Sequence, residues 1–247
     1  MSKIGLIILF FGLAGYSFHL NAQKALKKSE ISFSKISNKA GVRNISLMND
    51  YGKRWKMRVE FPENPSEKKS LIIALHWAGG GDTYKEFHDC LVLPGLQDVN
   101  AIIVSPEGEN QLWNTGNNID KILAIVTNSQ KYWNVDPEKI AIMGYSNGGN
   151  GSWFFAENYP KLFSAAIPMA SSYAINKKID LPLYVIHGAK DELFVVSKTK
   201  QWVEKSKSEG SDITFIINEQ LSHFQGCAYS NDLKNAGEWL QKIWKKK

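Results

Sequence analysis

Ile140-Ala141-Ile142-Met143-Gly144-Tyr145-Ser146-Asn147-Gly148-Gly149 is the stretch on which the fold turns. Its first four residues are apolar without interruption, as in a strand covered on both faces, and a helical pattern runs from Gly149 to Asn158. Between strand and helix, Ser146 sits inside a Gly-x-Ser-x-Gly spacing. That spacing suits a sharp strand-to-helix turn, in which small flanking residues make room for the reversal and the hydroxyl is pushed above the sheet. The helix that follows aims its first amides at any anion formed beside that hydroxyl.

Working outward, the alternation repeats. Leu71 to Leu75, Ala101 to Val104, Ala165 to Met169, Leu183 to Ile186 and Ile213 to Ile217 read as further buried strands. Helical patterns over Ile119 to Trp133, Val195 to Glu209 and Asp232 to Trp244 separate them. Only the first two strands differ. Val42 to Met48 and Trp55 to Phe61 form a half-buried antiparallel hairpin, since Trp55, Met57, Val59 and Phe61 alternate with Lys56, Arg58 and Glu60. Short links between strands and helices imply right-handed crossovers and a mostly parallel, doubly wound α/β sheet flanked by helices. Ligands of such sheets bind beyond the carboxyl ends of the strands.

The chain has 247 residues, 43% apolar and 22% charged, which excludes disordered and fibrous classes. A net charge of +6 without a basic stripe gives no reason to expect nucleic acid. The terminal Lys245-Lys246-Lys247 reads as a solvated helix end. At the other end, Lys3 precedes an apolar run from Ile4 to Phe18, and Ala22 stands just before Gln23. This predicts a signal peptide over residues 1–22, too short to span a bilayer, followed by a single domain over 23–247. The mature protein is then secreted or periplasmic, with no stable membrane association. In an oxidising compartment Cys90 and Cys227 are a candidate disulfide, although two separate buried thiols would also fit. Two cysteines so far apart make no zinc pattern, and neither a metal nor a cofactor is expected.

A serine hydroxyl needs a base to activate it and an acid to orient that base. Five histidines are present. His19 leaves with the leader, His88 lies in a helical stretch expected at the surface, and His76 and His187 end buried strands as structural residues. His223 follows the last strand and precedes the last helix, which makes it the candidate general base. Asp191, in His187-Gly188-Ala189-Lys190-Asp191, is the candidate acid, with Glu192 and Asp212 as weaker alternatives. The oxyanion donors are expected to be the backbone amides of Asn147 and, from the loop His76-Trp77-Ala78-Gly79-Gly80-Gly81, of Ala78. No Gly-Lys-Ser/Thr follows those glycines, which argues against a phosphate loop. Trp77, Trp113, Tyr145 and Phe224, with Asn114 beside them, are candidate substrate-binding residues, Trp113 being the tryptophan most expected to leave the core.

These segments resemble the α/β-hydrolase superfamily and, more narrowly, secreted esterases of the feruloyl esterase and polyhydroxybutyrate depolymerase type. The resemblance spans about residues 55–245 and rests on His76 to Gly81, Ser105-Pro106-Glu107-Gly108 with Trp113-Asn114, Val135-Asp136-Pro137, Gly144 to Gly149, Phe163 to Ala166, His187-Gly188 with Asp191, and His223. Trp77 occupies the place of a usual glycine. Only Ala170 to Pro182 separate two successive strands, so no cap domain is expected and the site should be open. The resemblance implies a serine esterase acting on small-molecule or polysaccharide-linked acyl esters, such as acetyl or hydroxycinnamoyl decorations. A peptidase of the prolyl-oligopeptidase type and an inactive binding module are the rival readings.

Overall fold

The computed structural model describes residues 29–49, 51–63, 68–175 and 177–246, so the expected leader over 1–22 lies outside the described residues. Eight strands, β1 (Gly41–Met48), β2 (Arg54–Phe61), β3 (Lys69–Leu75), β4 (Ala101–Pro106), β5 (Val135–Tyr145), β6 (Ala165–Met169), β7 (Leu183–Gly188) and β8 (Ile213–Asn218), form one sheet in the order β1-β2-β4-β3-β5-β6-β7-β8. β1 pairs antiparallel with β2, and β2 with β4. Every other pairing is parallel. Besides a helical segment ending at Phe33, the helices among the described residues are α1 (Thr83–Phe87), α2 (Leu93–Leu96), α3 (Gly116–Tyr132), α4 (Asn147–Asn158), α5 (Val196–Ser208) and α6 (Ser230–Lys245).

The continuous apolar runs have the reason anticipated for them: both faces of the sheet are covered. Along β3, Leu71, Ile73 and Leu75 pack with Trp113, Ile122 and Trp153, while Ile72 and Ala74 point the other way against Phe87, Leu91 and Leu233. β5 begins earlier than its apolar run. The polar Asp136-Pro137-Glu138-Lys139 segment stays in the strand because the register against β3 shifts between Lys69 and Leu71, and a proline is tolerated at such an irregularity. Between β6 and β7, Ala170 to Pro182 holds no helix or strand among its described residues, so no cap is inserted between these two strands. Among the described residues no helix is long and apolar enough to cross a membrane.

His88 departs from its expected place at the surface. A π turn over His88–Val92 joins α1 to α2, because Pro94 has no amide to offer the Cys90 carbonyl and the turn takes in an extra residue. The imidazole is fully buried against the sheet, with Nδ1 2.9 Å from Ser105 Oγ and Nε2 without a partner.

The same π turn carries Cys90, which is bridged to Cys227 on a 3₁₀ turn over Gly226–Tyr229. The bridge closes a loop with a sequence separation of 137. Chain-entropy arguments put the stabilisation from such a closure at about 4–5 kcal/mol. Replacing both cysteines by serine is therefore expected to lower the urea midpoint and to steepen the slope as the unfolded chain expands, the loss of stability amounting to about 2–5 kcal/mol. A midpoint within error of the parent would show that the bridge does not restrain the unfolded chain.

Candidate active site

Gly144 and Gly148 allow the turn around Ser146 by close approach. A Cβ on Gly148 would lie 1.8 Å from the Leu75 carbonyl oxygen, and one on Gly144 would lie 2.1 Å from the Gly148 oxygen. Neither backbone oxygen can retreat from such a contact without disturbing the strand or the helix that holds it. Ser146 itself has φ 57° and ψ −118°, a conformation that L residues rarely hold. It is held by two bonds: its amide donates to the Met169 carbonyl at 3.0 Å, and its carbonyl accepts from the Asn150 amide at 3.0 Å. The strain aims Oγ out over the carboxyl ends of the strands.

His223 meets it from the loop after β8. Ser146 Oγ lies 2.8 Å from His223 Nε2, and His223 Nδ1 lies 2.9 Å from Asp191 Oδ2. Asp191 sits on the turn after β7, where its other oxygen accepts the amides of Leu193 at 3.0 Å and Phe194 at 2.7 Å. Burial opposes charge on this carboxyl, but the His223 imidazole, the Phe194 amide and the nearby histidines together hold it below the usual carboxylate range. The acid is thus ionised, which sets Nδ1–H toward it and leaves Nε2 free to accept the Ser146 proton. Three side chains from three loops form an unbroken relay, with each member at most 8% exposed.

The loop bearing His223 is itself anchored. Glu192 Oε2 accepts the His223 amide at 2.9 Å, and the Tyr145 hydroxyl donates to the His223 carbonyl at 2.7 Å. Glu192, one of the alternative acids, therefore grips the backbone of the base and not its ring. Asp212, the other, precedes β8 at the opposite end of the sheet. Tyr145 lines the cleft but is 2% exposed, and its hydroxyl is already engaged. The sequence pattern did not reveal the anchoring roles of Tyr145 and Glu192, although adjacency to Ser146 and Asp191 was the available signal.

Trp113 is where the structure differs most from expectation. Its indole is 1% exposed, donates to the His76 carbonyl at 3.1 Å, and packs over Gly151, whose missing side chain makes the space. It is mostly core, with an edge lining a trough near Asn147, while Asn114 beside it is exposed. Trp77 and Phe224 line a cleft of about 630 Å³ at Ser146, together with Tyr145, Leu193 and the exposed Cys227. Glu86 brings a carboxylate to the same wall. Ala78 lines both this cleft and an adjoining space of about 420 Å³, which Asn147 also lines. Their backbone amides thus belong to the two segments that flank Ser146.

His76 and His187 hold loops. His76 Nε2 accepts the Gly108 amide at 2.8 Å while Nδ1 lies 2.5 Å from the Trp77 carbonyl, an arrangement that requires the neutral ring with its proton on Nδ1. His187 Nε2 bonds to the Phe194 carbonyl at 2.6 Å and so steadies the acid loop. Burial pushes the pKa of His76 down to about 4, with Lys121 adding to it, and burial with Arg58 does the same for His88. The unfolded chain takes up protons at these rings below about pH 6.5, whereas the native state refuses them until about pH 4. The contribution of these two rings to stability is therefore complete above pH 6.5 and is lost as pH drops through this window. Between pH 7 and 4.5 the two rings are expected to cost on the order of 5 kcal/mol, read as a fall in the urea midpoint. A His88→Asn variant should lose about half of that pH dependence; equal dependence in variant and parent would contradict this.

Residues 105–236 match the dienelactone hydrolase family. Among curated relatives, an acetylxylan esterase of Coprinopsis cinerea is 30% identical over 133 residues, covering 47% of this chain and 34% of that protein. Acetylxylan esterase A of Aspergillus oryzae is 25% identical over 150 residues, covering 56% and 48%. The chain spans between a third and a half of the length of these relatives. Among solved structures, a thermostable esterase superposes with a TM-score of 0.69 at 21% identity, over 81% of this chain and 62% of that one. A ferulic acid esterase superposes with a TM-score of 0.67 at 15% identity, over 83% and 98%. The sheet order and these superpositions make the fold that of an α/β-hydrolase, and with over half of its length matched, this chain belongs to the dienelactone hydrolase family.

Proposed function

We propose that the protein is a serine esterase that works through an acyl-enzyme. The observation that carries this reading is the relay itself, 2.8 Å from Ser146 to His223 and 2.9 Å from His223 to Asp191. Ser146 Oγ attacks an ester carbonyl while its proton passes to His223 Nε2. The Asp191 carboxylate steadies the imidazolium, and the amides of Asn147 and Ala78 hold the oxyanion. His223 returns the proton to the departing alcohol. A water molecule, deprotonated by the same nitrogen, then cleaves the acyl-Ser146 ester and releases the acid.

The preferred substrates are acyl esters on carbohydrate. The acetylxylan and ferulic acid esterases among the similar proteins support that preference, as does the lack of a cap between β6 and β7. The Cys90–Cys227 bridge supports a protein that leaves the cytoplasm, since such bonds persist in oxidising compartments. Hydrolysis of p-nitrophenyl acetate tests the activity, and a matched anilide separates an esterase from a peptidase. Turnover of the ester with little turnover of the anilide is expected. Faster cleavage of the anilide, or none of either, would overturn the reading.

A further inference from the structure

Beside Ser146 the surface divides into two arms of different chemistry. The larger arm is walled by Trp77, Tyr145, Leu193 and Phe224, so most of its lining is apolar. The other leaves Ser146 past Leu112, Asn147 and Asn150 and continues into a trough of about 230 Å³. That trough is lined by Asn114, Asn147, Asn150, Phe154, Ser172 and Tyr173, and among its described lining residues none is Lys, Arg, Asp or Glu. Side-chain amides present a donor and an acceptor together, which matches hydroxyl groups that also do both. Aromatic rings offer flat apolar faces for the C–H side of a sugar. Tyr173 is fixed, because its hydroxyl donates to Glu157 Oε2 at 2.9 Å. Asn150 lines both the arm beside Ser146 and the trough, so it stands where the two spaces join. The space equals that of roughly eight waters, enough for one monosaccharide ring.

We propose that this trough is a subsite for a neutral glycan, the alcohol side of the ester, while the acyl group lies in the apolar arm. The proposal rests on the esterase reading for its orientation, and its test separates the two. Asn114→Ala alters an exposed side chain, and Tyr173→Ala removes the ring. In each variant, the ratio of kcat/KM for an acetylated xylo-oligosaccharide to that for p-nitrophenyl acetate is expected to fall about tenfold or more, chiefly through KM. Calorimetry with unesterified xylohexaose, which is not turned over, is expected to show binding to the parent that both variants weaken by a similar factor. An unchanged ratio in Asn114→Ala with the ester still hydrolysed overturns the subsite and leaves the esterase standing. Failure of the parent to hydrolyse p-nitrophenyl acetate overturns the esterase instead, and the binding measurement then decides the subsite alone: no binding, or binding indifferent to both substitutions, sinks it.

Discussion

Alanine at position 146 is expected to lower kcat toward p-nitrophenyl acetate by about 10⁵- to 10⁶-fold, with the urea midpoint close to that of the parent. The nucleophilic oxygen has no substitute nearby. Removing it leaves His223 facing a methyl group, and the residual rate comes only from the oxyanion amides and from binding. The strained backbone at 146 is carried by the Met169 and Asn150 bonds, which alanine keeps, so the loss belongs to chemistry and not to folding. Steady-state kinetics together with an acyl-trapping experiment checks this. A variant within a hundredfold of the parent, or a parent that gains no acyl mass at residue 146, would remove Ser146 from the mechanism.

Asp191→Asn is expected to cost about 10⁴-fold in kcat while disturbing the loop little, the magnitude known for the same change in a serine protease. The carboxamide cannot accept from His223 Nδ1 and also reproduce the carboxylate charge. Where its NH₂ faces Nδ1, the imidazole proton moves to Nε2, and that nitrogen can no longer take the proton of Ser146. Glu192→Gln should cost far less, since Glu192 holds the His223 amide and not the ring. Kinetics of the two variants in parallel decide the matter. If Asp191→Asn stays within tenfold of the parent while Glu192→Gln does not, the roles are exchanged.

Much of this architecture was legible in the sequence, for identifiable reasons. Runs such as Leu71 to Leu75 are apolar throughout because both faces of a parallel strand are covered, a pattern that survives without tertiary knowledge. Ser146, Asp191 and His223 were readable because each follows a strand at its carboxyl end. Trp113 was half legible: its place beside the site was readable, but only the bare surface of Gly151 on another element shows that most of its indole is buried. His88 was misread because a polar residue in a short helical stretch suggests a solvated face, although its spacing from Tyr84 and Leu91 puts it on their buried face. The trough residues Asn114, Asn150 and Tyr173 come from separate segments, and no local pattern joins them.

The bridge between Cys90 and Cys227 carries one more consequence. A chain with 2 cysteines admits a single intramolecular pairing, so scrambled isomers do not exist for it. Oxidative renaturation then requires no isomerase to sort partners, and its one competing product is a covalent dimer, which dilution suppresses.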